Sequence, residues 1–223
     1  MMGTEEVEYT NRLLSQAKWW KRLLDVQRPY RRHLQRLHLG FVLDVGCGIG
    51  RNLAHIAETG QGVGIDQNPH SVAIAKSRGL IAFTPGDFLA SSYAADPCFD
   101  SLLLSHVAEH LQFEQTVALL KAYLRYLRPN GRVVLITPQE AGYDSDPTHV
   151  AFVDRETGER ILRDAGVKVE THYSFPLARF FGTLFTYNEF VTIGRKPPES
   201  DGGSDPSGDG CQFGGAGARS RTS

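Results

Sequence analysis

Residues 41–50, Phe41-Val42-Leu43-Asp44-Val45-Gly46-Cys47-Gly48-Ile49-Gly50, constrain the fold more than any other stretch, because a strand runs there straight into a glycine-rich turn. Val42, Leu43 and Val45 form the short apolar run of a parallel strand covered on both faces, and glycines at alternate positions let bare backbone approach a ligand. A second apolar segment, Gly62-Val63-Gly64-Ile65, ends in Asp66, twenty residues after Gly46. A carboxylate at the end of a second strand can accept hydrogen bonds from both hydroxyls of a ribose, so an adenosine-containing cofactor is expected. The glycine spacing is G-x-G-x-G rather than the dinucleotide spacing G-x-G-x-x-G, and Asp44 stands where dinucleotide enzymes usually carry an apolar residue. An acid there suits a cofactor with a positively charged amino group better than it suits a pyrophosphate.

From residue 41 the chain alternates strand and helix, the signature of an α/β doubly wound parallel sheet. Helices are predicted over 50–59, 68–78, 114–127 and 155–165, and strands over 80–83, 101–104, 132–137, 167–173 and 184–193. Asn68-Pro69 places a capping side chain before a proline at the first helical position. Ahead of the sheet, Leu13, Ala17, Trp20 and Leu24 keep helical spacing until Pro29, and a second short helix ends near Gly40. Residues 1–40 therefore read as a helical prefix, either a solvated basic face or a lid whose Trp19, Trp20, Arg28 or Tyr30 meets substrate. Residues 41–194 read as the cofactor-binding domain. From 195 onward glycine, serine and proline replace apolar residues, and the tail is expected to be disordered.

With 223 residues the chain accommodates one domain with appendages. A formal net charge of −1 gives no global field for nucleic acid or an anionic membrane. The three cysteines, Cys47, Cys98 and Cys211, have no C-x-x-C spacing, which argues against a zinc knuckle or disulfide framework and for a reducing, cytoplasmic compartment. The acidic N-terminus lacks a leader-like apolar core and no apolar run is long enough for a membrane span, so neither secretion nor membrane insertion is expected.

These residues resemble the class I S-adenosylmethionine (SAM) methyltransferases over roughly 40–194. Gly86-Asp87-Phe88 falls where that class places the acid that meets the adenine amino group. Residues 99–111 look like its fourth strand and following segment, and Leu127-Arg128-Pro129-Asn130-Gly131 looks like the turn into its fifth. The resemblance implies a Rossmann-like seven-stranded sheet ending in an antiparallel hairpin. It also implies SAM contacts at Asp44, Gly46, Cys47, Gly48, Gly50, Asp66, Gln67, Asp87, Phe88 and Ser105.

In an open parallel sheet, ligands bind beyond the carboxyl ends of the strands. Methyl transfer to a hydroxyl needs an aligned acceptor and a base for its proton. The polar segment after the fifth strand, 138–152, lies at that edge and carries His149, and a free imidazole titrates near neutrality. His149 is therefore the expected general base and His106, directly after the fourth strand, its competitor. Asp144-x-Asp146-x-x-His149, with Glu140, is a candidate site for a divalent cation such as Mg2+, although two acids near a histidine are also common structural clusters. Glu109 and His110 read as packing and capping residues. Trp20, Glu140 and Tyr143 are the candidate substrate contacts.

After the fourth strand the sequence lacks the Asp/Asn/Ser-Pro-Pro-aromatic run of base amino methyltransferases, and its Pro97-Cys98 pair comes just before that strand, at the wrong end to supply the nucleophile of cytosine carbon-5 enzymes. Nucleic acid is disfavoured as acceptor, and a small hydroxylated molecule is expected. The arrangement is also similar to a group of small actinobacterial methyltransferases that includes the sugar 1-O-methyltransferase of methylmannose polysaccharide synthesis, which would imply a short mannoside acceptor. The alternatives are a phenol or polyketide hydroxyl, a non-catalytic SAM-binding protein, and a nicotinamide-dependent reductase. The last lacks the sixth-position glycine and the Tyr-x-x-x-Lys pair.

Overall fold

The structure is a computed structural model that describes residues 27–57, 61–95 and 97–198. The Leu13–Leu24 spacing, Trp19, Trp20 and the tail from 199 lie outside the described residues. The elements run α1 (Arg28–Arg36), β1 (Phe41–Val45), α2 (Arg51–Ile56), β2 (Gln61–Ile65), α3 (Pro69–Ser77), β3 (Ile81–Phe83), α4 (Pro85–Leu89), β4 (Phe99–Ser105), α5 (Phe113–Leu124), β5 (Leu127–Pro138), α6 (Glu140–Tyr143), α7 (Arg155–Asp164), β6 (Lys168–Phe175) and β7 (Glu189–Arg195). They build one seven-stranded sheet in the order β3-β2-β1-β4-β5-β7-β6. β1 to β5 pair in parallel, and β7 runs antiparallel to both β5 and β6. The switch in strand order lies between β1 and β4, where an open sheet leaves a crevice at its carboxyl edge.

The central strands are buried because both faces are covered: Val42, Leu43, Val63, Leu102, Leu103, Val133 and Val134 keep at most 1% of their surface exposed. Each such side chain contributes roughly 1.5 to 3 kcal/mol by leaving water. Helix starts follow local chemistry. Asn68 accepts from the amides of His70 and Ser71, Thr84 caps α4 from the amide of Asp87, and Asp154 caps α7 from the amide of Thr157.

The structure departs from the sequence expectation at the C-terminal hairpin. The last strand begins at Glu189 rather than 184, because residues 179–183 wind into a 3-10 turn and Asn188 ties its side chain back to Gln139 and its carbonyl to the Gln139 amide. The loop after β5 also contains the short helix α6, which had not been expected. α1 packs Leu34 into the core beside Val42, Leu103 and Val134. On the same helix His33 stacks on Phe175 at 4.0 Å, with its Nε2 2.7 Å from the Tyr173 hydroxyl. Burial lowers the His33 pKa to about 4, so this ring is a neutral packing group. α1 is thereby fixed as one wall above the carboxyl edge of the sheet.

Candidate active site

The glycine turn after β1 is held by its neighbours. The amides of Gly46 and Cys47 both donate to the Ile65 carbonyl, and the Gly48 amide donates to Asp66 Oδ2 at 2.7 Å. Gly46, Gly48 and Gly50 have φ of +79°, +54° and +78°, a region that an L side chain rarely adopts. A Cβ on Gly48 would meet nothing within 4 Å, so open space lies beside this backbone. Asp66 also accepts from the Asn68 amide through Oδ1, so its carboxylate organises the turn as well as facing it.

Asp44 is wholly buried beneath this turn, and neither of its carboxylate oxygens has a hydrogen-bond partner. Burial, aided by the charge of Asp66, raises its pKa to about 7. A buried carboxylate without a partner is unfavourable, and its presence is explained if a cation is brought to it. The ammonium group of SAM is such a cation. The orphaned acid together with the open backbone of Gly48 fits an amino-acid moiety lying along the turn.

A cavity of about 360 Å³ opens next to the turn. Its lining includes Gly46, Cys47 and Gly48 of the turn, Ser105, His106, Glu109 and His110 after β4, His149, Tyr30 and His33 of α1, and Tyr187 and Glu189. His106 follows β4 in a left-handed conformation, φ +58°, a strained geometry for a non-glycine residue. Its Nδ1 lies 3.1 Å from Glu109 Oε1 and its Nε2 2.9 Å from Glu189 Oε1. Burial alone would lower its pKa, but the side chain keeps 47% exposure, so the two carboxylates prevail and raise it to about 10. Both nitrogens carry protons in that state, and His106 has no lone pair to offer as a base. Its expected role as competitor to His149 gives way to that of a fixed positive charge.

His149 is arranged differently. Its Nδ1 donates to the Tyr143 carbonyl at 2.7 Å, which fixes the tautomer and leaves Nε2 as the lone-pair nitrogen. The ring stacks on Tyr143 at 5.4 Å and meets His110 at 4.8 Å. Tyr143 also receives the edge of Phe152 and does not line the cavity, so it positions His149 rather than serving as an acceptor platform.

Several other expected site residues have other partners or surroundings, although Cys47 and Asp146 do line the cavity. Glu140 pairs with Arg179 outside the cavity, which removes it as a substrate contact. The Phe88 ring is fully buried against Phe99, Tyr126 and Tyr123, so it belongs to the core rather than to a cofactor face. Cys47 turns its thiol into the apolar cluster with Leu53 and Ala75, and burial pushes that thiol up; only its backbone serves the turn. Gln67 and Asp87 are exposed, Asp87 accepting the Thr84 hydroxyl at 2.8 Å just beyond β3. Asp144 and Asp146 join no metal-capable group among the described residues: Asp144 is exposed at the end of α6, and Asp146 Oδ1 accepts from the Thr148 amide and hydroxyl. Glu189, Tyr187 and His33 were missed in the sequence, and Glu109 and His110 were taken for packing residues. An acid heading the otherwise apolar run Phe190-Val191-Thr192-Ile193 was the available signal for Glu189.

Comparison with known proteins agrees with this geometry. Residues 42–131 match the model of a methyltransferase domain. The chain is similar to ajmaline N-methyltransferase of Rauvolfia serpentina, with 30% identity over 152 residues covering 64% of this chain and 50% of that protein. It is also similar to phosphoethanolamine N-methyltransferase 1 of Triticum aestivum, 30% over 147 residues, covering 56% and 28%. The chain thus spans half or less of the length of these relatives. Among solved structures, a SAM-dependent methyltransferase from Archaeoglobus fulgidus superposes with a TM-score of 0.57 at 20% identity, covering 78% of this chain and 99% of that one. The magnesium protoporphyrin IX methyltransferase of Synechocystis with bound SAM gives 0.54 at 13%, covering 77% and 82%. The fold and the matched segment point to one class: residues 42–131 match a methyltransferase domain, and the sheet has the fold of solved SAM-dependent methyltransferases. The narrower likeness to the sugar 1-O-methyltransferase gains no support, since both relatives are N-methyltransferases.

Proposed function

We propose that the protein transfers a methyl group from SAM to a hydroxyl of a small molecule, with His149 as the general base. The observation that carries this reading is Asp44, a wholly buried acid with both oxygens unpartnered under a left-handed glycine turn. When bound, SAM supplies a methyl group made electrophilic by its sulfonium. Asp44 pairs with the ammonium, the backbone from Gly46 to Gly50 lies along the amino-acid part, Asp66 accepts from the ribose hydroxyls, and Asp87 meets the adenine amino group. The part of the cavity lined by His106, Glu109, His110 and His149 then receives the acceptor, which restricts it to a small molecule. His149 Nε2 takes the acceptor proton, while His106, locked between Glu109 and Glu189, holds a positive charge beside the reacting centre.

A hydroxyl acceptor is favoured by the lone pair of His149. An amine acceptor is the second reading, favoured by the activity for which both plant relatives are named. A screen with isotopically labelled SAM across mannosides and other saccharides, phenols, amines and RNA tests the proposal. Label appearing only in RNA, or in no acceptor although SAM binds, would remove it.

Asp66→Ala is expected to weaken SAM binding by about 1.5 to 3 kcal/mol, the usual range for loss of a charged hydrogen-bond partner. Part of that loss comes through the turn, because Asp66 also receives the Gly48 amide. Titration calorimetry measures it, and tight binding of NADH with none of SAM would overturn the cofactor.

A further inference from the structure

We propose that Glu109, His110 and His149 hold a first-row divalent cation at the cavity wall, where it takes the acceptor oxygen as a further ligand. One donor atom from each of the three lies within 4.8 Å of the others. Glu109 is wholly buried and its Oε2 has no hydrogen-bond partner, although its Oε1 is taken by His106. Such an oxygen is unfavourable in the interior unless something positive meets it.

The two imidazoles are prepared in the way metal-binding histidines are. His110 directs Nδ1 at the Thr148 carbonyl, 3.2 Å away, and His149 directs Nδ1 at the Tyr143 carbonyl, 2.7 Å away. A carbonyl can only accept, so in each ring the proton sits on Nδ1 and Nε2 is the free donor atom. The backbone holds the set together. The amides of Val150 and Ala151 both donate to the Glu109 carbonyl, which fixes the segment after His149 against the turn that carries Glu109 and His110. Two imidazoles and one carboxylate suit Mn2+, Fe2+, Co2+ or Zn2+ better than Mg2+, which prefers oxygen ligands throughout. Three protein ligands also leave positions open for substrate.

The inference rests on the reading of this cavity as the acceptor site, and it changes the part played by His149. With a cation on Nε2, the imidazole no longer takes the proton. The cation acidifies the bound hydroxyl, which releases its proton to water. The oxygen lone pair then forms the new C–O bond as the methyl C–S bond breaks, and that electron pair stays on sulfur as the neutral thioether.

The test uses the full chain, stripped with a chelator and titrated with Co2+ while visible absorption and heat are recorded. One Co2+ per chain is expected, with the intensified absorption of a low-coordinate, imidazole-ligated ion. Glu109→Gln and His110→Ala are each expected to weaken it by about 10-fold or more, the scale on which even outer-shell partners act. Asp144→Asn is expected to leave it unchanged. Thermal melting of the metal-free variants separates loss of a ligand from loss of the fold. The absence of stoichiometric Co2+, or Co2+ bound equally well by folded Glu109→Gln and His110→Ala, overturns the site. Methyl transfer that persists after complete metal removal overturns its role and returns the proton to His149. Co2+ binding as expected in a protein that methylates no acceptor would sustain the site and remove the functional reading it rests on.

Discussion

Replacing His149 by alanine is expected to lower kcat by a factor of about 100 or more while SAM affinity stays within a few-fold. An un-ionised alcohol is a poor nucleophile, and assistance in removing its proton contributes about 100- to 10,000-fold. Among the described cavity histidines, His106 is occupied at both nitrogens by Glu109 and Glu189, whereas His149, like its neighbour His110, keeps Nε2 free. The loss is expected whether His149 takes the proton or holds a cation that acidifies the hydroxyl, because each role uses the same lone pair. SAM affinity is expected to be spared because His149 makes no contact with Asp44 or Asp66, the acids proposed to hold the cofactor; its ring meets Tyr143 and His110. Steady-state kinetics with calorimetry of SAM binding checks both halves. A kcat near the wild-type value in His149→Ala would show that the proton leaves by another route.

Asp44→Asn is expected to weaken SAM binding by about 3 kcal/mol, roughly 150-fold, because it leaves a buried ammonium without its counter-charge. The same substitution has a signature in pH. The Asp44 pKa of the free protein is raised to about 7, so below neutrality the acid is protonated and must release its proton before it can pair with a cation. SAM affinity should therefore rise with pH, by about tenfold per unit at most, between pH 5.5 and 7, and then level off. In Asp44→Asn that slope should vanish. Calorimetry in buffers of different ionisation heat would register the released proton directly. A flat profile in the wild-type protein would mean that Asp44 is not the group that meets the ammonium.

Much of the cofactor side of the site was legible in the sequence. The glycine turn, the acid inside β1 and the acid after β2 are local features. Each follows from a chain reversal that only glycine tolerates, or from a polar residue set in an apolar run. Asn68-Pro69 marked the start of α3 for the same reason, since a cap and its helix are neighbours in sequence. Phe88 was misjudged because a motif position shows which residue is near a ligand and not which way its ring turns; the ring fills the core against Phe99 and Tyr126.

The acceptor side was hidden because its partners are distant in the chain. Glu189 reaches His106 across 83 residues, and it does so because β7 inserts antiparallel between β5 and β6 and brings its first residue to the carboxyl edge. That contact turned a candidate base into a fixed charge. Asp144 and Asp146 were assigned to a cation because they lie close to His149 in sequence, whereas the fold brings Glu109 and His110 to it from the turn after β4. By itself, the sequence determined where the chain turns, which strands are buried and which acids stand near the ends of β1 and β2, since those depend on local backbone freedom and on the contrast between polar and apolar neighbours. Only the tertiary structure decided which imidazole keeps a lone pair and which carboxylate is left without a partner, because strand order and register bring those groups together from segments far apart in the chain.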